Sequence, residues 1–135
     1  MGCPTECEIG ANLTFSCCTH DPNTGILTDA QAVPAYRIYQ DEDPTGTFSI
    51  TGNMAKLDDD NTTGFYTETI AVTAANGYTS GKTYTIYITA TVDGDEGGIC
   101  YAFKAYDYRA ANITHINETE VTGAGVSGNS WRPVT

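Results

Sequence analysis

Residues 82–94, KTYTIYITATVDG, set Tyr84, Ile86, Ile88 and Ala90 on one side of an extended chain and threonine on most positions of the other. Alternation at period 2 gives a strand one apolar and one polar face, whereas a helix would scatter the same residues around its axis. The stretch therefore predicts a strand at the centre of a sheet. Next comes DGDEGG, turn chemistry for a tight hairpin, and the chain returns through ICYAFKAYDY with Ile99, Tyr101 and Phe103 sharing a face.

The same period recurs upstream. From Ile9 onward Leu13, Phe15 and Cys17 oppose Thr14, Ser16 and Cys18, and in VPAYRIYQD Tyr36 and Ile38 oppose Arg37 and Tyr39. TFSITGNMAKLD reads as one or two short strands interrupted at Gly52. In FYTETIAVT, Phe65, Thr67, Thr69 and Ala71 oppose Tyr66, Glu68, Ile70 and Val72. HDPNTGILTDA, DEDPTG, DDNTTG and AANGYTSG lie between them and carry the Asp-Pro, Asn and Gly chemistry of turns and loops. With no helical period anywhere, about seven short strands joined by polar turns predict an all-β chain, a single immunoglobulin-like β-sandwich. The cysteine and tryptophan signature of antibody domains is absent.

A chain of 135 residues has room for one such core. The sandwich is assigned to residues 1–107, including a Cys-bearing N-terminal segment, and residues 108–135 to a C-terminal extension. Within that extension ANITHINETEV can form one more strand, while 121–135 has no usable period and reads as an extended arm. Seventeen acidic against six basic residues, a formal charge of -11, would repel a phosphate backbone, so nucleic acid is not an expected partner. No apolar run approaches the length of a membrane span, and MGCPTECEIG lacks the basic and apolar regions of a secretion signal. The N-terminus also departs from the myristoylation pattern at Glu6.

Few residues offer chemistry. His20 and His115 stand in no recognised catalytic motif, and no enzyme activity is expected. Asp58, Asp59, Asp60 and Asn61, like Asp93, Asp95 and Glu96, are hard oxygen ligands without the spacing of a calcium loop. Cys3, Cys7, Cys17, Cys18 and Cys100 leave three readings open. They can be free thiols, or a disulfide can tether the N-terminal segment by joining Cys3 or Cys7 to Cys18, with Cys100 as another partner for Cys18. A soft-metal site is the third, though adjacent strand cysteines point to opposite faces and share a tetrahedral ion poorly. No cofactor is expected. The nine tyrosines suit either strand packing or a platform for sugars and protein partners.

The order THDPNTG, TDA, VPAYRIYQDE and then TGNMAKLDDDNTTGFYTETIAVTAANGYTSGKTYTIYITATVDGDEGG resembles small virion structural proteins of tailed bacteriophages, and so does the ending ITHINETEVTGAGVSGNSWRPV. The resemblance runs from about Thr19 to Pro133, leaving out the first eighteen residues. It implies a non-enzymatic component of the particle exterior, made in the host cytoplasm. The expected role is a capsid decoration or cement protein that binds the major capsid protein or other virion subunits. The alternative is a neck, tail or fibre accessory module that binds a host-surface glycan or another virion protein. The C-terminal extension supplies the expected contact residues, Ile116, Val126, Trp131, Arg132 and Pro133, with Trp131 either anchored in a partner or folded back on its own sandwich. Homo-oligomers through exposed strand edges remain open.

Overall fold

Alternation is realised as expected in the hairpin made by β7 (Thr83–Val92) and β8 (Asp95–Tyr106), in which Tyr84 pairs with Phe103, Ile86 with Tyr101 and Ile88 with Ile99. The connection is the two residues Asp93 and Gly94, both at positive φ, which matches the twist of the flanking strands. The structure, a computed structural model, describes residues 2–107 and, further on, the backbone of His115–Ile116, Thr119–Thr122 and Arg132–Pro133.

Six further strands complete a sandwich: β1 (Glu6–Glu8), β2 (Ala11–Cys18), β3 (Ala35–Gln40), β4 (Ser49–Asn53), β5 (Ala55–Lys56) and β6 (Phe65–Val72). One sheet has the order β1-β8-β7-β3-β4 and the other β2-β6-β5. This is the strand order of the immunoglobulin fold, with β7 central in the larger sheet as its sequence predicts. Leu13, Phe15 and Cys17 of β2 and Tyr66, Ile70 and Val72 of β6 are buried, together with Ile38, Tyr84, Ile86, Ile88 and Phe103 of the larger sheet. Each large apolar side chain so buried contributes about 1.5–3 kcal/mol.

One boundary moves. The interruption expected at Gly52 falls instead at Met54, where the chain leaves β4, paired with β3, and enters β5, paired with β6. Met54 is buried at the crossing. Gly52 lies inside β4 because the ring of Tyr36 leans across it, and a Cβ there would sit 2.5 Å from the Tyr36 hydroxyl. That hydroxyl reaches over to donate to Glu68 of the opposite sheet at 3.0 Å. Burial and the Glu68 carboxylate push the Tyr36 phenol up to about 12.

The end of the sandwich where β6 runs into β7 is packed with aromatic rings. Phe48, Tyr78, Tyr84 and Phe103 have centroids between 4.9 and 6.2 Å apart, so Tyr78, in a stretch that reads as plain loop, belongs to the core. The Tyr84 hydroxyl accepts the Thr79 backbone N–H at 2.7 Å, the tyrosine-corner arrangement of immunoglobulin-type sandwiches.

In the C-terminal extension the described backbone forms β9 (His115–Ile116), β10 (Thr119–Thr122) and β11 (Arg132–Pro133), an antiparallel set in the order β11-β10-β9. Of the expected contact residues, Val126 and Trp131 lie outside the described residues. Ile116, Arg132 and Pro133 are described only as strand backbone.

Candidate functional site

Three connections meet at the opposite end: residues 19–34 between β2 and β3, 57–64 between β5 and β6, and the Asp93-Gly94 turn. Gly64 joins the first two. Its N–H donates to Asp29 at 2.6 Å, its carbonyl accepts from Thr19 N–H at 2.8 Å, and at φ 65° a Cβ would meet the carbonyls of Thr19 and Thr28 below 3.0 Å. Lys56 donates to both Asp29 and Asp59. Hydrogen bonds from Lys56 and the Gly64 amide hold the Asp29 carboxyl below its ordinary value, and the paired carboxylates raise Lys56. Gln31 N–H donates to the Thr91 carbonyl and ties the third connection in. The acidic run at Asp58 is therefore a folding device: Asn61 donates to the Asp58 carboxylate, Asp58 takes φ 52°, and the chain turns into β6.

Between the first and third connections the two sheets part. The inner face of the hairpin shrinks along its length, from Tyr84 opposite Phe103, through Ile88 opposite Ile99, to Ala90 opposite Gly97. Side chains that small cannot reach the other sheet, and a cleft of about 420 Å³ opens. Its floor is Cys17, Ile88, Ala90 and Val92, Ile99 and Gly97 form one wall, Cys18 and His20 the other, and Asp95 and Glu96 the lip. A Cβ on Gly97 would have nothing within 4 Å. Two residues beyond Ile99 on β8, Tyr101 donates its hydroxyl to the Ser16 carbonyl at 2.9 Å, and Ser16 also bridges to the Gly2 backbone.

The cysteines are dispersed as free thiols. Cys7 and Cys17 are buried, Cys3 and Cys18 half-buried, and Cys100 exposed on β8. Burial, with the neighbouring Cys7, pushes Cys3 up to about 11, and burial also raises Cys7 and Cys17. Burial thus disfavours the thiolate at Cys3, Cys7 and Cys17, the form that attacks and ligates. Among the described residues no three His, Cys, Asp or Glu side chains converge as a metal-ligand set. The cleft itself was missed in sequence, because the small residues Ala90 and Gly97 are seen to oppose each other only once the hairpin register is known.

A second, shallower hollow of about 370 Å³ lies on the outer face of the larger sheet, lined by Arg37, Thr51, Asn53, Tyr87 and Thr89. Large apolar side chains are also exposed near the cleft end, with Ile26 at 65%, Leu27 at 48% and Leu57 at 44%.

No family model, curated protein or solved structure matches this chain. What fold and site define is a class, a single immunoglobulin-type β-sandwich that carries an open cleft and exposed apolar loops at one end.

Proposed function

We propose that the chain is a non-enzymatic structural protein of a bacteriophage particle, a capsid decoration protein that binds coat subunits on the exterior. The observation that carries this reading is the set of exposed apolar residues Ile26, Leu27 and Leu57 on connections whose backbone is tied down by Gly64, Asp29 and Lys56. Rigid loops bearing exposed apolar side chains suit contact with another protein. The sequence resemblance to virion proteins supplies the setting.

The test uses particles assembled without this protein. The full chain should co-sediment with them and raise their resistance to heat. The double substitution Ile26→Ser with Leu27→Ser, at exposed positions, should leave the fold intact and weaken attachment at least tenfold. Removing residues 121–135 should likewise give a folded protein that no longer attaches. A chain that fails to co-sediment yet binds host cells would overturn the reading in favour of the glycan alternative, for which the outer hollow with Tyr87, Arg37, Thr51 and Asn53 offers an aromatic face beside polar tips.

A further inference from the structure

Above its three-residue parallel pairing with β1, at Lys104–Tyr106, strand β8 has no second neighbour among the described residues. Which backbone groups face that side follows from the pairing. The two-residue turn makes Val92 and Asp95 a hydrogen-bonded pair, and Ala105 N–H donates to Lys82 at the far end, so the odd residues of β8 bond to β7. Lys104 N–H, by contrast, donates outward to Thr5. The amides and carbonyls of Glu96, Gly98, Cys100 and Ala102 therefore point to the open edge. Side chains alternate with them, and Gly97 and Ile99 face the cleft.

The edge and the cleft thus lie side by side: a row of backbone donors and acceptors next to an apolar slot lined by Ile88, Ala90, Val92 and Ile99, with Asp95 and Glu96 at its lip. We infer that this is a strand-addition site, at which an extended segment of a partner protein pairs with the Glu96–Ala102 edge and seats one large apolar side chain in the cleft. An added strand gains affinity from main-chain hydrogen bonds and specificity from pockets that take alternate side chains. Charge complementarity selects the occupant. The lip is acidic and the chain carries -11, so the fitting segment alternates apolar residues with Lys or Arg. A second copy would bring another net charge of -11 to the same surface, which disfavours self-pairing. The inference draws on the fold alone and stands apart from the virion reading.

The experiment uses the full chain and two capped octapeptides, (Lys-Leu)4 and (Glu-Leu)4, at physiological salt. The lysine peptide should bind at least tenfold more tightly and should shift the amide resonances of Glu96, Gly98 and Cys100. Gly97→Val puts a side chain into the slot at a position where the added Cβ has nothing within 4 Å, leaves the charge unchanged, and should cost at least tenfold in affinity. Methylating alternate peptide nitrogens should cost at least tenfold for the set that faces β8 and less than twofold for the other set. Equal binding by Gly97→Val, equivalence of the two methylated sets, or no binding by the full chain would each overturn the site. So would slow exchange of the Gly98 and Cys100 amides without peptide. Concentration-independent protection would assign the edge to the chain's own C-terminal residues, and concentration-dependent protection to a second copy.

Discussion

Single residues hold the cleft end together, and two of them give clear expectations. Gly64→Ala forces a Cβ into the carbonyls of Thr19 and Thr28 at a positive φ, and unfolding by urea should show a loss of about 1–3 kcal/mol with the slope unchanged. Lys56 acts through charge. Asp29 is held below its ordinary value in the folded state, so its contribution is present above about pH 4, the unfolded value, and is lost as the pH falls through the lowered folded one. Melting curves of the native chain and of Lys56→Met should therefore differ at pH 7 and draw together as the pH falls below about 4. Curves that stay parallel to pH 2 would remove the Asp29 pairing as the cause. The glycine in LDDDNTTGFY was legible as a tight turn before a core strand. Its partners Thr19, Thr28 and Asp29 were not, because nothing local in sequence brings residues so distant to one amide.

At the scale of elements, strands whose burial alternates were readable, and those defined by tertiary contact were not. β2, β3, β6 and β7 follow their period because one face is buried along most of their length, and β8 does so only in its second half, where Phe103 and Ala105 are buried. β1 escaped because three residues paired in parallel to a distant strand leave no periodic trace. The β4–β5 boundary was misplaced since glycine usually marks a weak point in a strand, and here it makes room for the Tyr36 ring. The corner between β6 and β7 has its own test. Tyr84→Phe keeps the ring among Tyr78, Phe48 and Phe103 but strands the Thr79 N–H, and should cost about 1–3 kcal/mol while leaving the far cleft unchanged in amide chemical shift. An equally stable variant would show that the hydroxyl is incidental.

For the whole molecule, sequence conveyed the class of fold and the acidic surface, but not where the sandwich would stay open. That depends on side-chain size at matched positions of two strands, a comparison that needs the register. The five cysteines report the same architecture from outside. A coloured aromatic disulfide at pH 8 should titrate Cys100 first, Cys18 and Cys3 more slowly, and Cys7 and Cys17 only after unfolding. Fast reaction of all five would contradict the packing of β1 and β2. The aromatic cluster of Phe48, Tyr78, Tyr84 and Phe103 carries a further, optical consequence. The sandwich holds interlocked tyrosines and no tryptophan, while Trp131 belongs to the C-terminal segment, so the two parts differ in colour. Near-ultraviolet dichroism from the locked tyrosine rings follows the sandwich, and tryptophan emission follows the C-terminal segment. One denaturation watched at both wavelengths tells whether the two come apart together or in turn.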